Sequence, residues 1–271
     1  DLLVAGVGGT GVVTVGALVT MAAHLEGKQA SVLDFMGFAQ KGGAVLAFIR
    51  WARRPDLLNQ VRIDTQQADL LLACDLVVGA SPDALGTVRR GRTRVVASSH
   101  HNPTDKFVRD PDASLHAEAL LDKLRFAVGA DDDPAALEAV DAYDLALRLL
   151  GDSIGANILL LGYAWQRGLV PVSLTALERA IELNGVAVEA NRMAFHLGRL
   201  AAEEPDTVLA LAEEPAPRTM TLDELIAHRV DHLTAYQNAA YAARYRSLVD
   251  KVRTAEQRLA ADPALPLTRA V

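Results

Sequence analysis

The chain has a single cysteine, Cys74, in 271 residues. One thiol excludes an intrachain disulfide, a four-cysteine zinc site and an iron–sulfur cluster built by this chain alone. Basic residues are also short, with 27 Lys and Arg against 34 Asp and Glu and a net charge of -7. A protein that neutralises nucleic-acid phosphates needs a basic face, so nucleic acid is not the expected partner. No stretch of about 18 apolar residues runs without a charge or glycine, so no membrane span is expected. Nor does a basic-then-apolar leader precede a small-residue cleavage site, which makes the cytoplasm the expected compartment. The absence of an initial methionine before Asp1 reads as a piece of a longer polypeptide.

What is present is a soluble-protein composition, 51% hydrophobic and 23% charged, long enough for one large domain or one domain and part of another. Leu2–Val7 is a continuous apolar run of the kind that forms a strand buried on both faces. It leads into Gly6-Val7-Gly8-Gly9-Thr10-Gly11, and a helix is expected from Thr10 to about Glu26, stopped by Gly27. Further strands are expected at Ala30–Phe35, Ala44–Trp51 and Arg94–Ser98, with another strand–helix passage over Ala68–Ala73 and Asp75–Ala80. The alternation predicts an α/β fold, a Rossmann-like, mostly parallel sheet flanked by helices, with a C-terminal helical extension. Asn102 to Asp133 reads as loop with some helix. Asp133-Pro134 is a candidate helix start, and a short strand near Val140 with Asp141 capping the next helix is the alternative. Helices follow at Ile154–Gln166, Ser173–Leu183 and Val186–Ala202. The expected organisation is a domain over residues 1–204, a linker over 205–221 and a helical segment over 222–271, read as one long amphipathic helix opening a following domain.

The pattern Gly6, Gly8, Gly11 after a strand and before a helix is that of a phosphate-cradling turn. Gly6 makes it tight, Gly8 lets a phosphate approach and Gly11 packs helix on strand. Asp34 stands about 20 residues on, where a dinucleotide fold places its ribose-binding acid. A turn that only packs closely and binds no nucleotide has the same pattern, and both readings stay open. A second turn, Gln40-Lys41-Gly42-Gly43, sets a carboxamide and a cation on two glycines before a strand, a candidate anion cradle beside the first. Gly151-Asp152-Ser153 with Asn184-Gly185 does not supply the diphosphate-and-magnesium motif of thiamine enzymes. Those glycines and acids read as helix caps. His228 and His232 lie four apart, but Arg229 and Asp231 between them suit a solvated face, so no metal site is expected. His100 and His101 read as loop histidines, and Cys74 as a small buried hydrophobe.

Taken together, "GVGGTGVVTVGALVTMAAHLEGK", "VLDFMGFAQKGGAV", "ADLLLACDLVVG" and the distal pattern from Asn184 through Glu189 and Asn191 to Phe195 resemble the gamma-subunit domain of 2-oxoacid:ferredoxin oxidoreductases. The linker and the segment "HRVDHLTAYQNAAYAARYRSLVDKVRTAE" are similar to the region after that domain in the fused indolepyruvate ferredoxin oxidoreductases. The resemblance implies a thiamine-diphosphate enzyme that decarboxylates an arylpyruvate, sends electrons through iron–sulfur clusters to ferredoxin and releases an acyl-CoA. It also implies that thiamine diphosphate, magnesium and the clusters sit on other domains of the same enzyme, that this domain supplies no catalytic residue, and that the assembly is a homo-oligomer. The residues expected to face coenzyme A or the thiamine-bearing domains are Gly6, Gly8, Gly9, Thr10, Gly11, Gln40, Lys41, Gly42 and Gly43. The rival readings are an independent NAD(P)- or flavin-binding oxidoreductase and a non-catalytic assembly module.

Overall fold

A computed structural model describes residues 1–36, 43–100, 117–213, 220–259 and 265–271. It divides into two compact units, Asp1–Glu213 and Glu214–Val271.

The first unit is built on a six-stranded sheet: β1 (Leu2–Val7), β2 (Gln29–Met36), β3 (Ala44–Ala52), β4 (Leu70–Ala73), β5 (Arg94–Ser98) and β6 (Leu137–Val140). The spatial order is β2-β3-β1-β4-β5-β6, and β3 alone runs against the rest. Alternation along β1 divides the core. Leu2 and Val4 join an apolar cluster on one face, while Leu3 and Ala5 join the cluster on the other, as expected for a strand covered on both sides. On the first face lie α1 (Val12–Leu25), α5 (Ala142–Leu150), α6 (Ala156–Gln166), α7 (Leu174–Asn184), α8 (Val188–Glu203) and α9 (Pro205–Ala212). On the second lie the short α2 (Leu76–Gly79) and α3 (Pro82–Leu85) with α4 (Ala117–Val128).

Local chemistry explains most boundaries. α1 opens Val-Val-Thr-Val, poor helix formers, and begins at Val12 rather than Thr10. Burial of Val12, Val15, Leu18 and Val19 outweighs propensity there. Asp75, Asp141 and Ser173 cap α2, α5 and α7 by accepting from Val78, Asp144 and Ala176 N–H groups. Gly151 and Gly185 end α5 and α7 in the left-handed region.

The expected linker needs correction over its first part. Pro205 starts α9, and Val208 and Ala212 bury themselves in the sheet-facing core, so 205–212 belongs to the first unit. The single long helix expected after it is also two, α10 (Leu222–Tyr236) and α11 (Ala239–Leu259), followed by α12 (Pro266–Ala270). The break falls at Gln237 and Asn238, where the Asn238 side chain accepts from the Tyr241 N–H and starts the next helix.

Candidate functional site

The loops leaving β1 and β4, with Ser99 and His100 after β5, lie at the carboxyl ends of parallel strands, at the point where the chain turns to opposite sides of β1. Open α/β sheets bind ligands there. Two cavities occupy this crest. The larger, about 650 Å³, lies against the glycine loop and the start of α1, with Met36 and Val45 on one side and Asn184, Val186 and Asn191 on another. The smaller, about 220 Å³, lies over the ends of β4 and β5 and is lined by Cys74, Asp75, Ser98, His100 and Tyr143.

The four loop glycines divide into two kinds. A Cβ on Gly6 would stand 2.6 Å from Val12 Cγ2 and 3.0 Å from Cys74 Cβ, so Gly6 serves the close packing of β1, α1 and β4. The Gly8 N–H donates to the Gly43 carbonyl at 2.7 Å. The phosphate-approach role expected of Gly8 is therefore corrected. Its N–H is committed to the protein, and the bond ties the glycine loop to the foot of β3. Gly9 and Gly11 are different, with φ of 87° and 94° and open space where a Cβ would stand. The two glycine turns do come together through Gly43, while Gln40, Lys41 and Gly42 lie outside the described residues.

The helix behind the loop is bare at its start. α1 has no side-chain cap and no acid in its first turn. Among the described residues, no acceptor meets the N–H groups of Gly9, Gly11, Val12, Val13 or Thr14. Unmet N–H groups and the positive end of the helix dipole favour an anion at this wall of the larger cavity.

Sequence reasoning did not place three groups of residues. Asn157, in the first turn of α6, donates through Nδ2 to the Thr10 carbonyl at 2.8 Å and to Thr10 Oγ1 at 3.1 Å. An amide in the otherwise apolar run Ala156–Trp165 was its one signal. Asn184 and Asn191, which the sequence offers only as part of a family pattern, line the larger cavity. The third is the partner set of His100, which stacks on Tyr143 at 3.9 Å with its Nδ1 3.6 Å from Asp141 Oδ1. Those partners are some forty residues away in sequence. Cys74 lines the smaller cavity. Burial, and then the neighbouring Asp75 carboxylate, push its thiol far above the ordinary range, so it stays protonated and is a poor nucleophile.

Asp34 does not occupy a ribose-binding position. It pairs with Ala47 of β3, which in turn pairs with Val4 of β1. That level lies three residues, about 10 Å, below the end of β1, and β3 stands between the two strands. Its Oδ1 is buried without a partner, and burial raises its carboxyl above the usual range. In the second unit, exposed His228 and His232 border a groove with Arg229 and Tyr245. Among the described residues, no three metal-ligating side chains gather anywhere.

Residues 1–201 match the family model described as pyruvate ferredoxin/flavodoxin oxidoreductase. The chain belongs to this family. Residues 222–271 match a second model, a family of unknown function named DUF6537. The gamma subunit common to the pyruvate and ketoisovalerate oxidoreductases of Pyrococcus furiosus is 31% identical over 177 residues, covering 65% of this chain and 82% of that protein. Subunit IorB of the indolepyruvate oxidoreductase of Pyrococcus horikoshii is 26% identical over 206 residues, covering 75% and 96%. In fold, the first unit is similar to the gamma subunit of a keto/oxoacid ferredoxin oxidoreductase from Geobacter sulfurreducens, with a TM-score of 0.50 at 23% identity over 74% of this chain and 97% of that one. A 2-oxoglutarate:ferredoxin oxidoreductase from Magnetococcus marinus gives 0.51 at 16% identity, over 74% of this chain and 30% of that one. The chain is thus a gamma-type part of a 2-oxoacid oxidoreductase, with a mostly parallel α/β fold.

Proposed function

We propose that this domain forms the coenzyme A-facing wall of a 2-oxoacid:ferredoxin oxidoreductase acting on an arylpyruvate, with indolepyruvate the favoured substrate. The observation that carries the reading is the uncapped start of α1, whose unmet N–H groups front the larger cavity. The diphosphate of coenzyme A has the charge that such a helix start attracts. The cavity's many apolar residues, Val12, Val13, Met36 and Ile158 among them, suit the uncharged remainder of so long a ligand. The Magnetococcus marinus enzyme, 30% of whose chain is similar in fold, is described with 2-oxoglutarate, coenzyme A and succinyl-CoA bound. Bound here, coenzyme A would supply the thiol that accepts the acyl group. This chain's part is to hold and orient it through Gly9, Thr10 and Gly11, with Lys41 adding charge.

A lone cysteine does not fit an iron–sulfur cluster. Clusters, thiamine diphosphate and magnesium are therefore assigned to partner domains of the same homo-oligomeric enzyme, with ferredoxin as electron acceptor. No described helix is long and apolar enough to cross a membrane, and the enzyme is proposed to be cytoplasmic. The substrate choice rests on the likeness to the fused indolepyruvate enzymes and on the IorB relative.

Hydrogen exchange on the complete oxidoreductase tests the reading. Coenzyme A is expected to slow exchange of the Gly9–Thr14 amides, and Lys41→Ala to raise KM for coenzyme A. Unchanged loop exchange at saturating coenzyme A, or saturable binding of NADH or FAD in its place, would overturn it.

A further inference from the structure

The buried carboxamide of Asn157 is expensive to place. It is 5% exposed and stands on a helix whose next residues are Ile158, Leu159, Leu160 and Leu161, all buried. A polar group in such surroundings costs free energy unless it is hydrogen-bonded. Its partner is one residue of the glycine loop. Nδ2 reaches both the carbonyl and the hydroxyl of Thr10, and the Thr10 hydroxyl donates on to the Val7 carbonyl at 2.8 Å. Asn157 also stands where the two cavities meet, since it lines both together with Val7, Gly9, Thr10 and Ile154.

We propose that Asn157 is a positioning residue that fixes the orientation of the Thr10–Gly11 peptide for ligand binding. The peptide is planar and trans, so its carbonyl and its N–H point in opposite directions. Holding the Thr10 carbonyl on Asn157 directs the Gly11 N–H to the other side, where no described acceptor meets it. The loop itself does not enforce this choice. Residue 11 is glycine at φ 94°, and glycine accepts either orientation of the peptide before it. A flipped peptide would turn a carbonyl oxygen, the wrong end of the dipole, toward an anion at the start of α1. The root of Asn157 is in turn held firmly. A Cβ on Gly162 would lie 2.0 Å from the Phe195 carbonyl oxygen and one on Gly198 1.8 Å from that of Leu159, so α6 lies with its backbone against α8. The same α8 carries Asn191 on the far wall of the larger cavity. One stiff helix pair thus bears both the lock on the loop and part of the opposite wall.

This role rests on the reading of the larger cavity as a coenzyme A site, and its test separates the two. In the complete oxidoreductase, Asn157→Ala and the volume-conserving Asn157→Leu both remove the donor. Each is expected to raise KM for coenzyme A about tenfold, the weight of a hydrogen bond serving a charged ligand. Turnover at saturating coenzyme A stays near the wild-type value, because Asn157 touches no reacting atom, and coenzyme A no longer protects the Gly11 amide fully from exchange. If coenzyme A gives no loop protection even in the wild type, the site reading fails. If the wild type is protected and the folded variants keep its KM and its protection, the role of Asn157 fails alone. Loss of folding in both variants would make Asn157 merely structural and also overturn it.

Discussion

In the first unit α6 and α8 cross with backbone against backbone, whereas in the second α10 and α11 meet through a thin row of side chains. Around the first crossing, Leu159, Leu160, Ala194 and Phe195 are fully buried. Along the second, the described buried residues are Ile226, Ala242, Val249 and Glu256, while Tyr236, Leu248 and Leu259 are exposed. The second pair relies more on local devices. Thr221 and Glu224 form a reciprocal capping box, and Arg253 bridges to Asp223 at 2.9 Å on the surface. A cap contributes about 1 kcal/mol and an exposed ion pair less. Packing density therefore makes the first pair a scaffold able to hold a loop in register. The second pair is held by contributions that are individually small and salt- or pH-sensitive.

The largest expected effect is at the tight crossing. Gly198→Ala places a methyl where the Leu159 carbonyl stands, and overpacking of this kind costs about 3 kcal/mol, more than the helix-propensity gain of about 1 kcal/mol. Denaturant unfolding of the full chain, followed by segment-resolved hydrogen exchange, should show the loss over residues 1–213, with the Thr10 and Gly11 amides loosened as well. A cost below about 1 kcal/mol would mean the crossing yields easily, and the contrast between the two pairs would fail.

A smaller effect belongs to the second unit. Ile226 is buried, and Ile226→Val is expected to cost about 1 kcal/mol. The faster exchange should stay within residues 220–271. Equal loosening of the β1–β4 amides would show that the two units unfold together.

How much of this was legible differs between sheet and site. Leu2–Val7 and Arg94–Ser98 coincide with the strands found, because continuous apolar runs bounded by turns leave little else for them to do. The placement of β3 between β1 and β2 was not legible. Strand order is set by which apolar faces find each other, and nothing local in Ala44–Trp51 announces an antiparallel neighbour. That one insertion removes Asp34 from the nucleotide-binding level. In the loop, spacing marked Gly6, Gly8 and Gly11 alike and could not separate the open Gly11 from Gly6 and Gly8, whose partners, Cys74 and Gly43, are set by the tertiary fold. Pro205 was read as the first residue of a linker. Here it starts a helix, in the first turn, where its missing N–H costs nothing.

The smallest effect, and the one most specific to the second unit, concerns Glu256. This carboxylate is buried, yet it accepts from the Leu267 N–H at 2.8 Å, the Thr268 N–H at 2.7 Å and the Thr268 hydroxyl at 2.6 Å, so it caps the start of α12. Burial alone would raise its pKa. The Thr268 hydroxyl and the two N–H groups outweigh burial and hold it below its ordinary value of 4.5. A carboxyl depressed in the folded state stabilises fully above that ordinary value and loses its contribution as pH falls through the lower, folded one. Exchange of the Leu267 and Thr268 amides, corrected for intrinsic rate, should therefore accelerate as the solution is acidified below about pH 4.5. Asp223 and Asp250 are carboxylates of the same unit, so the deciding measurement is a comparison with Glu256→Gln. The variant should exchange faster at neutral pH and show no further acid dependence at these two amides. The same acid response in both proteins would assign the docking of α12 to other groups, and the second unit would then lose its clearest example of stability resting on a single charged cap.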